Sequence, residues 1–238
     1  MTPACEYYGL VVAAGLSRRF GRSARNEHRT AKSRAALKQF ALLKGKPLIT
    51  YSLVAFEQSR LVQSVVVVTN RARLEHVRRL ADRFGCKKVS AITAGGRFRS
   101  DSVRNGIKHL PVRGCVAVHD AARPFVTSKM IDRGLQLCRR FGSATYGYPL
   151  SDTVKRVAHG QVLATVPREG LFAVQTPQFF PIELLRRAHE AAARKHIHAS
   201  DDCALVELIG TQPRVITGSW ANIKITGRQD LLLADRLL

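Results

Sequence analysis

The segment Ala13-Ala14-Gly15-Leu16-Ser17-Arg18-Arg19 follows directly on the apolar run Gly9-Leu10-Val11-Val12. Small side chains let backbone N–H groups come close to phosphate oxygens, and an arginine a few residues on adds a charge-assisted fork. The same residues equally suit a plain tight turn from strand to loop, and the segment alone leaves both readings open. It is not a dinucleotide-binding fingerprint or a P-loop, because it has neither G-x-G-x-x-G nor G-x-x-x-x-G-K-[ST].

Four further groups are spaced along the chain: Leu37-Lys38-Gln39, Gly95-Gly96-Arg97-Phe98-Arg99-Ser100-Asp101-Ser102, Val118-His119-Asp120-Ala121-Ala122-Arg123-Pro124 and Asn222-Ile223-Lys224-Ile225-Thr226. With the first turn, and with Thr176-Pro177-Gln178-Phe179-Phe180, they run in order over nearly the whole sequence. In this order the chain resembles the 2-C-methyl-D-erythritol 4-phosphate cytidylyltransferase family, whose members join CMP to a branched polyol phosphate. Six ordered motifs are far more specific than any one of them.

The resemblance implies a role for each matching position. Nucleotidyl transfer needs the triphosphate charge neutralised while the second substrate's phosphate attacks the α-phosphorus in line. Arg19, Lys38 and Lys224 are the expected catalytic cations around the α- and β-phosphates. Ala13, Ala14, Gly15, Gly96, Ser102 and Asp120 are the expected nucleotide-binding positions. Asp120, which ends a strand, is the expected ligand of a Mg²⁺ that bridges phosphate oxygens, since this hard cation takes one or two carboxylates plus phosphate. Arg123 would hold the polyol phosphate or position its own loop. Thr153, Arg168 and Thr176 match substrate-binding positions, the first two reaching from an arm into a neighbouring subunit, so the resemblance implies a homodimer whose substrates are CTP and a polyol phosphate. Four features depart from the family pattern. Ser17 stands for a usual Gly, Leu37 for a usual Pro, Arg97 for an acidic residue, and the segment over 20–37 is longer than usual.

Other polar groups invite simpler accounts. His119 and Asp120 are adjacent in a strand and point to opposite faces, which argues against a hydrolase triad with Ser102 or Ser17. His196 and His198 lack an evident third metal ligand and suit a surface helix end. Lys155 and Arg156 suit a solvated strand edge. Asp201 and Asp202 read as a helix start, with Ser200 as N-cap and both carboxylates favoured by the helix dipole.

The elements that must position these residues follow from periodicity. Residues 7–14, 64–69, 88–93 and 115–120 are short β-rich runs with the composition of buried strands. Helical patterns lie between and after them, over 47–59, 99–110, 127–141 and 181–196. Leu74, Val77, Ala81 and Phe84 mark another helix, stopped by Gly85. Alternating strands and helices predict a single Rossmann-like α/β domain over 1–238, a three-layer α/β/α sandwich around a mostly parallel twisted sheet. After Gly142 two strand-like runs flank His159-Gly160-Gln161, which predicts a protruding β-arm over about 146–166. Residues 213–218 and 222–226 read as two more strands, with a last helix from Arg228. The stretch 21–37 is basic and reads as a mobile surface loop.

Composition bounds the partners. A formal charge of +22 from 39 Lys and Arg against 17 Asp and Glu favours polyanions, whether nucleic acid, anionic membrane or phosphorylated small molecules. Dispersal of those cations along the whole chain reads mainly as a solvated surface. With aromatics at only 7% and no nucleic-acid motif, a nucleic-acid-binding role is the weaker alternative. The nearer one is a ribitol-5-phosphate cytidylyltransferase, which shares these motifs. Five cysteines without CxxC spacing read as reduced buried thiols, and the lack of a signal peptide or membrane span reads as a cytoplasmic protein.

Overall fold

A computed structural model describes residues 6–15 and 37–238. The expectations for Arg19, Ser17 and the 21–36 part of the basic loop lie outside these residues. In chain order the strands are β1 (Tyr7–Ala13), β2 (Leu42–Leu43), β3 (Lys46–Pro47), β4 (Val62–Thr69), β5 (Val89–Ala94), β6 (Cys115–Asp120), β7 (Ala144–Pro149), β8 (Val154–Ala158), β9 (Gln161–Val166), β10 (Phe172–Pro181) and β11 (Arg214–Thr217). The helices are α1 (Leu48–Glu57), α2 (Leu74–Arg83), α3 (Arg99–Ile107), α4 (Ser128–Phe141), α5 (Ile182–Arg194), α6 (Asp202–Glu207) and α7 (Arg228–Leu237).

Seven strands form one sheet in the order β11-β7-β10-β6-β1-β4-β5. β1 pairs in parallel with β4 and β6, β4 with β5, and β11 with β7, whereas β10 runs antiparallel to both its neighbours. All six residues of β6 are buried, as expected of a central strand covered on both faces. One apolar layer packs α1, α2 and α4 through Phe56, Val77 and Leu135; the other packs α3, α5 and α6 through Val103, Leu185 and Val206. The sequence-derived three-layer α/β architecture is therefore the one observed.

Close packing of α4 on β10 depends on Gly134. A Cβ at that position would fall 2.0–2.5 Å from ring atoms of Phe179, which is fully buried. Overpacking of this kind typically costs about 1–3 kcal/mol. Gly134→Ala is thus expected to lower Tm by several degrees in thermal unfolding, and an unchanged Tm would show that the helix can slide away freely.

Three local expectations are corrected. Residues 222–226 form no strand: Ile225 N–H donates to the Ala122 carbonyl and the Asn222 amide to the Thr176 carbonyl, so the segment crosses the end of β6 without making a ladder. Residues 144–149 belong to the main sheet, where Tyr146 is buried, and the separate two-stranded arm is only β8 and β9. β10, which contains Thr176 and a cis Thr176–Pro177 peptide, is a full strand that periodicity did not reveal.

Candidate active site

At the carboxyl ends of β1, β5 and β6 lies a cleft lined by Ala13, Ala14, Gly15, Lys38, Gly96, Ser102, Asp120 and Lys224, together with Gln39 and Arg99. This is where open parallel sheets gather ligands. The turn after β1 is pinned from below: Gln39, itself buried, donates its amide to the carbonyls of Ala13 (2.5 Å) and Gly15 (3.2 Å). Opposite, Ser102 Oγ accepts from Gly96 N–H and donates to the Phe98 carbonyl, both at 3.1 Å. A Cβ on Gly95 would lie 2.2 Å from that of Ala14, so glycine at this position lets the two turns meet.

Asp120 is the electrostatic centre. Its Oδ2 accepts from Lys224 Nζ at 2.6 Å and its Oδ1 from Arg99 Nε at 2.9 Å. Burial alone would raise the Asp120 carboxyl, but the charges of Arg99 and Lys224 outweigh it and hold the group far below the usual carboxylate range. The backbone N–H of Asp120 donates to Thr176 Oγ1. His119 points the other way, as adjacent strand residues must; burial pushes its imidazole down to about 4, so the ring is neutral at pH 7. Its Nε2 lies 3.1 Å from the Arg123 carbonyl and must donate there, which leaves Nδ1 to accept from the Thr176 hydroxyl at 3.1 Å. Thr176 therefore fixes the strand end that carries Asp120.

Arg123 does not line the cleft; its Nη1 donates to the Asn222 carbonyl at 2.7 Å. Thr153 and Arg168 flank the arm and do not line this cleft; Arg168 donates to the Ser151 carbonyl. His198 stacks on Phe98 with ring centroids 3.8 Å apart, and among the described residues no group of three His, Cys, Asp or Glu could hold a metal ion. Cys86, Cys115, Cys138 and Cys203 are all buried.

Two residues that sequence reasoning did not place at the site are joined to Asp120. Arg99 bridges Asp120 to Asp202, donating from Nη1 to Asp202 Oδ2 at 2.7 Å. Asp202 is fully buried, and the helix cap is Asp201 rather than Ser200, because Asp201 Oδ1 accepts from Ala204 N–H. Burial would raise the Asp202 carboxyl too, but Arg99 and a hydrogen bond from His189 hold it below the ordinary value. Since Asp120 and Asp202 both have lowered folded-state values, their stabilising contribution is complete above the ordinary carboxylate value of about 4 and is lost as pH falls through and below it. Acid titration by circular dichroism is expected to show stability falling steeply below about pH 4, and a flat profile there would contradict this pairing.

A mostly parallel α/β sheet whose strand ends join two small-residue turns, two lysines and a paired carboxylate makes a cleft suited to a phosphorylated ligand. Comparison with known proteins specifies it further. The family model of 2-C-methyl-D-erythritol 4-phosphate cytidylyltransferase (IspD) matches residues 9–238, and the chain belongs to that family. A protein of this name from Halalkalibacterium halodurans is 40% identical over 233 residues, covering 98% of this chain and 97% of the relative. One from Geotalea uraniireducens is 36% identical over 233 residues, with 96% and 95% covered. The crystal structure of the Thermus thermophilus enzyme superposes with a TM-score of 0.74 at 30% identity, covering 96% of both chains.

Proposed function

We propose that the chain transfers CMP from CTP to 2-C-methyl-D-erythritol 4-phosphate, releasing pyrophosphate. The observation that carries this reading is Asp120, held between Lys224 and Arg99 at the point where the Ala13–Gly15 and Gly96–Ser102 turns converge. A phosphate oxygen of the acceptor attacks the α-phosphorus, a new P–O bond forms, and the bond to the β-phosphate bridging oxygen breaks as pyrophosphate leaves with the electron pair. No covalent enzyme intermediate is needed. Lys38 and Lys224, with Arg19, neutralise the charge that spreads over the α- and β-phosphates, and the backbone of Ala13, Ala14, Gly15 and Gly96 with the Ser102 hydroxyl holds the nucleotide.

The donor set fits a magnesium ion. Mg²⁺ uses few protein ligands beside substrate phosphates, and Asp120 offers a carboxylate at the cleft whose oxygens each keep a further lone pair. When bound, the ion would supply charge neutralisation at the α- and β-phosphates. We assign the acceptor phosphate to Thr153 and Arg168 of a second subunit, in a cytoplasmic homodimer joined through the arm. Supporting this, β8 and β9 expose Val157, Val162 and Leu163 to solvent, and no helix among the described residues is long and apolar enough to cross a membrane.

The test is pyrophosphate release with Mg²⁺, each of the four nucleoside triphosphates, and methylerythritol phosphate or ribitol phosphate as acceptor. Turnover with CTP and methylerythritol phosphate is expected. Turnover confined to ribitol phosphate would move the chain to the sister activity, and silence with every pair would overturn the assignment.

A further inference from the structure

Behind Arg99 lies a polar assembly set back from the cleft. Asp202 Oδ1 pairs with His189 Nε2 at 2.9 Å, and the Asp202 backbone N–H donates to Gln178 Oε1 at 3.1 Å. Gln178 Nε2 in turn donates to Asp201 Oδ2 at 2.7 Å. Gln178, His189 and Asp202 are each at most 3% exposed and come from β10, α5 and α6. β10 thus holds Asp202 by its backbone and α5 by its carboxylate, whose other oxygen faces the Arg99 guanidinium.

Such an arrangement is poorly explained by stability. Burying a carboxylate is costly even when it is paired, and apolar residues of similar volume often do as well or better for the fold. Its geometry does have a consequence for the cleft. The guanidinium is a rigid fork, and here it spans two carboxylates from different edges, Nε to Asp120 and Nη1 to Asp202. Without the second carboxylate the fork is free to pivot and close two-pronged, through Nε and Nη2, on Asp120, drawing it away from Lys224. Arg99 is also the first residue of α3, directly after Phe98, whose carbonyl accepts from Ser102 Oγ. Displacing the guanidinium therefore disturbs both the carboxylate and the turn expected to face the nucleotide.

We propose that Asp202 is a positioning residue for nucleotidyl transfer, acting through Arg99 to set the orientation of Asp120. This rests on the assignment of the cleft as the transfer site. Removal of a comparable outer-shell partner at a catalytic centre typically costs about 10–100-fold.

The experiment is a double-mutant cycle with Asp202→Asn and Arg99→Gln, read as kcat and KM for CTP per folded molecule, alongside Asp202→Glu. Asp202→Asn is expected to lower kcat by about tenfold or more with KM for CTP little changed. Asp202→Glu, which keeps the charge, should recover most of the rate. Because Asp202 acts through Arg99, the double variant should be no slower than Arg99→Gln alone, a non-additivity that mere destabilisation does not produce. A native kcat in Asp202→Asn, or additive losses in the double variant, would overturn the proposal. If Asp202→Asn does not fold, Arg99→Gln/Asp202→Asn removes both charges together, and its comparison with Arg99→Gln decides the matter: equal rates support the proposal and a slower double variant overturns it. Failure of the transfer reading itself is distinguishable, because the natural chain would then be inactive before any substitution.

Discussion

Asp120→Asn is expected to reduce kcat by about 10²–10³-fold while leaving the chain folded, the range seen when one group that stabilises transition-state charge is removed. The amide is isosteric and Arg99 retains Asp202 as a partner, so the buried guanidinium is not left without a counter-charge. What disappears is the only carboxylate lining the cleft among the described residues, and with it the expected anchor for a divalent cation. The sign of the binding effect separates this account from simple damage. Replacing a carboxylate by a neutral amide makes the cleft more positive, so CTP without metal should bind at least as tightly as to the natural chain. Turnover falls while metal-free nucleotide affinity holds or rises. Calorimetry of CTP binding in the presence of a chelator, with steady-state kinetics in Mg²⁺, measures both. A rate within tenfold of the natural one would move the chemistry away from Asp120.

The parts of this site that could be read from the sequence without the family resemblance share one property: each sits in a locally patterned segment. The bounds of β6 were predicted residue for residue, because a strand covered on both faces is a continuous apolar run, and Asp120 stands out as the charge that ends it. The small residues at the end of β1 were legible for a similar reason, lying where a parallel sheet gathers ligands, whereas Lys38 came only from the family resemblance. Arg99 was not legible. Its partner Asp202 is 103 residues away, and nothing local distinguishes a buried guanidinium at a helix start from a solvated one. Asp202 misled for the complementary reason. A carboxylate beside Ser200 and Asp201 has the composition of a helix start, and only tertiary packing shows that one aspartate caps the helix while the next is a buried ion-pair partner.

Two elements were misread because their periodicity has another cause. In Asn222-Ile223-Lys224-Ile225-Thr226 the alternation of apolar and polar residues mimics a strand. It arises because Ile225 is buried with Leu43, Leu48 and Ala234 while Lys224 faces the cleft. β10 shows the reverse. Its Gln175, Thr176 and Gln178 interrupt the apolar pattern, yet all three are buried, because their side chains satisfy backbone and side-chain groups of neighbouring segments rather than water. Polar residues selected to hold a site erase the signal by which a strand is recognised.

Lys224→Ala is the sharpest test of how that irregular segment contributes. Its Nζ lies 2.6 Å from Asp120 Oδ2, yet the side chain remains 37% exposed at the cleft. The backbone beneath it is fixed independently by Ile225 N–H on the Ala122 carbonyl and by Asn222 on Thr176. Truncation should therefore leave the fold intact and remove only the cation. Loss of one charge-stabilising donor to the transferring phosphoryl group is expected to cost about 10²-fold or more in kcat/KM. Lys224→Arg keeps the charge but substitutes a planar fork for a compact ammonium, so partial activity is expected. Divalent-cation dependence tells this variant from Asp120→Asn: removing Lys224 frees Oδ2 of Asp120, so the Mg²⁺ concentration needed for half-maximal rate should not rise, whereas in Asp120→Asn it should. A Lys224→Ala enzyme with near-natural kcat/KM would show that the ammonium serves Asp120 alone and that the triphosphate is neutralised from elsewhere in the cleft.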